Sequence, residues 1–213
     1  MKAKRFTTLL VTVLMVFGIT ACNKNESIKN TDLYIEPAVL TQQEENILKL
    51  IGSTENSNLI IDFNLDDSVK SMEYSVYRLN DDTWEPKSIS RQVLTDSKGR
   101  LSLSFERLSE GFRMAIQSEN NSGSTKHFTL PEDMTEEQIA LSKMGIGSTR
   151  LSNKTLVEYE KEIPIVLQVI TKNNEIRLTL DGFENPEEYT KMDYEAVYTV
   201  TIKFSQNEIE NMA

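Results

Sequence analysis

The sequence has a single cysteine, Cys22, and a single histidine, His127, among its 213 residues. One cysteine excludes an intramolecular disulfide, and one histidine excludes a metal site that needs two imidazoles. A Ser-His-Asp triad would have to use His127, but the sequence has no Gly-X-Ser-X-Gly motif to position a serine nucleophile. We therefore interpret His127 as a surface histidine on a short strand.

Positive charge is also scarce. Lysine and arginine number 23 against 33 aspartates and glutamates, which gives a formal net charge of −10. Nucleic-acid-binding domains carry a basic surface, so this balance argues against nucleic acid as a partner. An acidic excess is typical of an exposed domain that charge keeps soluble.

Motifs that hold phosphates or metals are missing as well. Gly145-Ile-Gly147 lacks the third glycine of a dinucleotide-binding loop. The acidic stretches at 66–67 and 80–82 do not have the spaced carboxylates of a calcium loop. Aspartate and asparagine favour turns because their side chains bond nearby backbone groups, and we interpret both stretches in that way. We expect no bound metal and no cofactor.

The one apolar run of note lies at the N-terminus. Lys2, Lys4 and Arg5 precede an apolar stretch at 6–17 that three threonines interrupt, and residues 18–21 are small or β-branched. This order of a basic head, a short apolar stretch and a small-residue site is typical of an export signal. The stretch is shorter than the roughly 20 residues of a membrane-spanning helix. We predict a cleaved signal peptide over residues 1–21, with an uncleaved anchor as the alternative.

The end of this segment, Ile19-Thr20-Ala21-Cys22, resembles the lipobox of bacterial lipoproteins. The resemblance implies that the Cys22 thiol carries a diacylglyceryl group and that the chain is cut just before it. Cys22 would then be the lipid-attachment residue, on the extracytoplasmic face of the cell membrane. Two acyl chains suffice for stable anchoring. Residues 22–32 are polar and without periodicity, and we predict that they form a tether.

Two capping-box patterns predict helices. The first joins Thr41 to Glu44 and is followed by apolar residues at 47, 48, 50 and 51, with Gly52 as a stop signal; it predicts a helix near 42–51 with an apolar face. The second joins Thr135 to Gln138 and predicts a short helix ending near Met144.

Elsewhere the apolar residues alternate with polar ones, which indicates half-buried strands. In the first half we predict strands at 59–65, 72–79, after Trp84, 101–105, 112–116 and 126–130. In the second half we predict strands at 155–159 and 196–204, and a hairpin that joins 163–171 to 175–180 through Asn173-Asn174. Residues 181–193 form a loop in this prediction.

Strands at intervals of about ten residues are typical of a sandwich or barrel. We predict that residues 33–213 form one mainly β extracytoplasmic domain, an antiparallel β-sandwich that is loosely immunoglobulin-like, with one or two short helices. A possible seam lies near 131–150, and two small β subdomains are the alternative.

For function, the sequence favours a non-catalytic module that binds another envelope protein, a peptide or a glycan. A set of aromatic residues could serve a glycan: Trp84, Tyr74, Tyr77, Tyr189, Tyr194 and Tyr198. The alternatives are a carboxylate-dependent hydrolase and an accessory lipoprotein of a transporter or sensor system. A cleft with two converging carboxylates would favour the hydrolase, whereas an exposed apolar patch would favour the module.

Overall fold

β-strands form most of the regular structure in the computed structural model, which describes residues 32–54, 57–128, 133–173 and 175–209. All strand pairs are antiparallel. The strands are β1 (Tyr34–Pro37), β2 (Asn58–Asn64), β3 (Ser71–Asn80), β4 (Thr83–Val93), β5 (Lys98–Phe105), β6 (Gly111–Ser118), β7 (Ser122–Phe128), β8 (Gly145–Arg150), β9 (Thr155–Leu156), β10 (Ile163–Thr171) and β11 (Ala196–Ser205).

The strands form two sheets that pack into a β-sandwich. The six-stranded sheet has the order β7-β6-β5-β2-β1-β9, and the five-stranded sheet has the order β4-β3-β11-β10-β8. Each sheet therefore contains strands from both halves of the chain. One cluster of buried apolar residues joins Ile61 and Leu103 of the first sheet to Val76 and Ile202 of the second. The predicted mainly β sandwich is confirmed, with the N-terminal and C-terminal strands in a single structure.

The six-stranded sheet follows the alternation that the sequence predicted. In β2, Leu59, Ile61 and Phe63 are buried and their neighbours are partly exposed. The same alternation holds in β5 and β6. One face of this sheet packs against the core and the other is open to solvent, as is common in antiparallel sheets.

The central strands of the five-stranded sheet, β3, β11 and β10, are largely buried on both faces, whereas its edge strands β4 and β8 are exposed; the alternation in the sequence did not predict this burial. The alternation over 72–79 predicts that Glu73 and Ser75 face solvent, but they are only 4% and 1% exposed. Every residue of β10 except Pro164 is buried. Residues 175–195, here called the cap, contribute Leu178, Leu180, Tyr189 and Tyr194 to an apolar cluster with Leu167, Val169 and Val197 on the outer face of this sheet.

The prediction of a hairpin between 163–171 and 175–180 is wrong, because the second segment belongs to the cap. β10 occupies its predicted position, but 175–179 is not a strand, because β8 and β11 pair with the two edges of β10. The cap instead contains a 3₁₀ helix, Leu180–Phe183, and a short helix, Glu187–Thr190. Gly182 is required here, since a Cβ atom would lie 2.1 Å from the Tyr189 hydroxyl.

Two further α-helices begin at the predicted capping boxes. α1 (Gln42–Leu50) and α2 (Glu136–Leu141) each have both reciprocal bonds of the box, and α2 is shorter than predicted. Gly52 ends α1 as predicted, with a φ of 74° and a bond from the Ser53 amide to the Leu48 carbonyl that closes a Schellman motif. The short cap helix Glu187–Thr190 is called α3. None of the described helices is long and apolar enough to span a membrane.

The remaining differences concern short strands. β1 and β8 were not predicted, and the strand predicted at 155–159 is reduced to the two residues of β9. β7 begins four residues before its predicted start. The predicted signal peptide, the lipobox with Cys22 and the tether up to residue 31 lie outside the described residues.

Candidate binding surfaces

A cleft of about 620 Å³ opens where the interior of the sandwich reaches the edge formed by β3, β4, β6 and β7. The inward face of β3 carries Met72, Tyr74 and Val76, and Arg78 continues the same alternation at the mouth of the cleft. Tyr198 of β11 is the direct cross-strand partner of Arg78. The core of the sandwich therefore changes from apolar to polar at this edge.

The deep wall of the cleft is apolar. Val76, Leu108 and Phe112 line it and are buried. The Phe112 ring stacks on the His127 ring, with centroids 5.0 Å apart and planes inclined by 18°. These side chains close the inner end of the cleft and belong to the core, while the rim of the cleft is polar.

Cationic side chains surround the rim. Arg78 donates a hydrogen bond to the Glu137 carboxylate at the start of α2, and its guanidinium lies 5.9 Å from the centroid of the Tyr198 ring. This hydrogen bond lowers the pKa of Glu137, which stays ionised. Lys87 Nζ lies 2.9 Å from Glu85 Oε2. Lys126 precedes His127 on β7, but its register partner is Arg113, which lines a groove beside α1, so the alternation of the strand turns the Lys126 side chain toward the outer face of the six-stranded sheet.

Two hydroxyl groups at the cleft lack hydrogen-bond partners within the described part of the chain. Tyr198 is 6% exposed, and its phenol bonds to none of these residues. Burial raises the pKa of this phenol, so it keeps its proton and can donate a hydrogen bond. The buried Ser109 Oγ also has no partner. Since buried polar groups are nearly always paired, the buried Ser109 hydroxyl is the unusual one, whereas the Tyr198 hydroxyl is not a buried atom and is reached by solvent.

His127 lies on the rim of the cleft, on the short strand that the sequence predicted. Its Nε2 atom is 3.0 Å from Ser90 Oγ on β4, a contact that sequence analysis missed because the two residues are 37 positions apart. Among described residues, none bonds the Nδ1 atom, so the third member of a catalytic triad is not in place. The pair joins the neighbouring edges of the two sheets.

A second surface lies on the outer face of the six-stranded sheet, where α1 crosses the strands. Grooves of about 540 Å³ and 520 Å³ run along its two sides. Arg100 of β5 holds the helix, with bonds of 2.7 Å to Glu44 and 2.6 Å to Asp62. The predicted apolar face of α1 does not enter the core, because the helix buries no residue completely. Ile47, Leu50 and Ile51 are 52%, 86% and 71% exposed, and we call these three residues the α1 stripe.

The aromatic residues considered for glycan binding do not form a common platform. Tyr74 packs in the core, edge-on to Phe112. Trp84 packs on Phe183 of the cap and donates to its carbonyl at 3.0 Å. The Tyr77, Tyr189 and Tyr194 hydroxyls donate to Glu162, Thr179 and Arg177, respectively. Tyr198 alone among the six lines the cleft.

The acidic stretches at 66–67 and 80–82 form turns in the structure. The Ser68 amide and hydroxyl both donate to the Asp66 carboxylate, and the amide bond is 2.8 Å long. Asp81 adopts a φ of 50° in the tight turn between β3 and β4. The described residues contain no group of three or more His, Cys, Asp or Glu side chains placed to hold a metal ion.

The cleft thus contains a buried serine hydroxyl without a partner among the described residues, and the α1 surface presents exposed apolar side chains. Comparison with protein-family models, with curated proteins and with solved structures finds no match to this chain.

Proposed function

We propose that this chain is a lipid-anchored extracytoplasmic binding module that performs no covalent chemistry. The lipobox-like sequence that ends at Cys22 supports the lipid anchor and the extracytoplasmic location. The cleft carries the binding role, because its lining combines apolar side chains with a buried hydroxyl, that of Ser109, which has no partner within the described chain. Ligand sites commonly have this composition and a volume of about 300–1,000 Å³.

The lining of the cleft favours binding over hydrolysis. A carboxylate-dependent glycosidase needs two carboxyl groups on opposite sides of the scissile bond. Among the described residues, Glu137 is the only carboxylate that lines this cleft, and Arg78 already binds it. In the described part of the chain, each of the two grooves beside α1 is also lined by one carboxylate, Glu44 in the first and Glu45 in the second.

The α1 stripe supports a compatible second function, that of an accessory lipoprotein of a transporter or sensor system. Such a protein needs a surface for an envelope partner, and exposed apolar side chains are typical of such surfaces. Four of the ten most exposed large apolar residues lie between 39 and 51.

The experiment is to express the full chain in a bacterium and measure the intact mass of the membrane-bound product. We expect a protein that begins at Cys22 and carries lipid. The Cys22→Ala variant should remain as the uncleaved precursor without lipid. A wild-type product without lipid, or normal maturation of the variant, would contradict the anchor.

A further inference from the structure

The chain enters the described domain on the outer face of the six-stranded sheet, beside the start of α1. The Asn64 side chain of β2 donates to the Asp32 carbonyl at 3.3 Å. Asp62 lies two residues earlier on the same side of β2, about 7 Å away along the strand, and Arg100 joins it to Glu44 of α1. The described chain thus begins close to the helix that carries the α1 stripe.

A lipid on Cys22 would keep this part of the domain close to a bilayer. Cys22 stands ten residues before Asp32, and a fully extended chain of that length spans at most about 35 Å. A second contact beside such an anchor is intramolecular, so the high effective concentration favours even a weak contact with the bilayer. Three apolar side chains, which are too few to hold a free protein on a membrane, are therefore enough to orient an anchored one.

The α1 stripe has the geometry of such a contact. Ile47, Leu50 and Ile51 have the spacing i, i+3 and i+4, which places them on one side of the helix, and all three are exposed. Leu48 instead lines both grooves at the sheet. Helices that lie in a membrane interface bury an apolar face of this kind to a depth of about 5–10 Å.

Two cations lie on the same outer face of the sheet. Arg113 of β6 and Lys126 of β7 are direct cross-strand partners, and both are exposed. Neither side chain forms an ion pair or a hydrogen bond with another described residue, because Glu44 and Asp62 on this face are bound to Arg100. Like charges directly opposite each other destabilise a sheet. Anionic lipid headgroups would neutralise this pair, since they attract lysine and arginine near a membrane surface.

We propose that the α1 stripe inserts into the interface of the bilayer that holds the lipid anchor, with Arg113 and Lys126 at anionic headgroups. The outer face of the six-stranded sheet then faces the membrane, and the cap on the opposite sheet faces away from it. This inference rests on the lipid anchor of the proposed function, and it assigns the bilayer, rather than a protein partner, as the occupant of the stripe.

The test measures how deeply the stripe enters lipid. The full chain, matured in a bacterium, is reconstituted into vesicles of phosphatidylcholine and phosphatidylglycerol whose acyl chains carry bromine, which quenches tryptophan on contact. The single native tryptophan, Trp84, packs on Phe183 of the cap, so wild-type emission should match that in vesicles without bromine. Leu50→Trp should lose about a third or more of its emission, because one of its two tryptophans enters the depth that interfacial helices reach.

A matched variant on the opposite sheet controls for chance contact with lipid. Ile89 of β4 pairs with Ser75 on the outer face of the five-stranded sheet and is 47% exposed. Ile89→Trp should show no more quenching than the wild type. Addition of Arg113→Gln and Lys126→Gln to Leu50→Trp should reduce the quenching. Circular dichroism verifies the fold of each variant.

The outcomes separate this inference from the anchor on which it rests, because the intact mass of each reconstituted protein shows whether Cys22 carries lipid. Lipidated protein with equal quenching in Leu50→Trp and Ile89→Trp would overturn the membrane contact and leave the anchor. Absence of quenching together with self-association of the wild type would assign the stripe to a second copy of the chain. Quenching that the two glutamine substitutions leave unchanged would overturn the role of the cations. Protein without lipid would overturn both the anchor and this inference.

Discussion

The outer faces of the two sheets differ in what covers them. On the five-stranded sheet the cap buries Leu167 and Val169, and a polar cluster beside it is also buried. On the six-stranded sheet α1 leaves the α1 stripe exposed and grooves open on both of its sides. The first face therefore contributes to stability, and the second is free for contact with other molecules.

The polar cluster of the covered face is a cross-strand network. The Glu73 carboxylate of β3 lies 2.7 Å from Arg91 Nε of β4 and 2.7 Å from Lys203 Nζ of β11. Both cations are direct partners of Glu73 in the strand register. Since Glu73 is 4% exposed, it depends on these partners for its charge.

Truncation of an apolar residue under the cap should give the largest effect. Leu167 is fully buried against Tyr189 and Val197. Leu167→Ala should lower the free energy of unfolding by about 2–5 kcal/mol through lost burial and a cavity. Denaturant unfolding at pH 7 measures this change. A loss below about 1 kcal/mol would mean that the cap is not firmly packed on this face.

Removal of the Glu73 charge should have an intermediate effect. Glu73→Gln leaves Arg91 and Lys203 without their partner, but their side chains are 39% and 22% exposed and water screens them. We therefore expect a loss of about 1–3 kcal/mol at pH 7, less than for a fully buried pair. Denaturant unfolding compares the variant with the wild type.

The pH dependence of this loss follows from the pKa of Glu73. Burial raises this pKa, but the hydrogen bonds and charges of Lys203 and Arg91 outweigh burial and lower it on balance. The ion pairs thus stabilise the fold above the unfolded pKa of about 4.3, and this contribution disappears as the pH falls through the lower folded pKa. The difference between wild type and Glu73→Gln should shrink below about pH 4.5. A constant difference from pH 7 to 3 would contradict this assignment.

The sequence predicted the elements that depend on local signals. The capping boxes at Thr41 and Thr135 place the starts of α1 and α2, since both bonds of each box lie within four residues. Alternation in β2, β5 and β6 predicted their buried faces because this sheet has one solvent face. The continuous apolar run of β10 was the signal that the five-stranded sheet is covered on both sides.

The predicted hairpin failed because the cap resembles a strand in sequence. Ile176, Leu178 and Leu180 alternate with polar residues, and an extended segment that lies on a sheet has the same period as a strand within it. Pairing depends on which edges of β10 are free, and β8 and β11 occupy both. Sequence alone does not show this competition between distant segments.

The cleft could not be assembled from the sequence, because Arg78, His127 and Tyr198 lie on three strands from distant parts of the chain. One signal was present. Arg78 follows Met72, Tyr74 and Val76 at the inward positions of β3, and a charged residue at such a position marks the edge of a core. Tyr198 becomes its neighbour only through the pairing of β3 with β11.

The smallest effect is expected on the open face. Leu50→Gln keeps helix propensity almost constant, and Leu50 is 86% exposed, so the free energy of unfolding should change by less than about 0.5 kcal/mol. Leu48→Gln is the matched control: Leu48 is partly buried and lines both grooves beside α1, and its loss should cost about 1 kcal/mol or more. Denaturant unfolding of the two variants compares the exposed and the packed sides of one helix. Equal losses of unfolding free energy would show that Leu50 is buried against another molecule in solution. If the sedimentation coefficient of the wild type, but not of Leu50→Gln, rises with concentration, that molecule is a second copy of the chain.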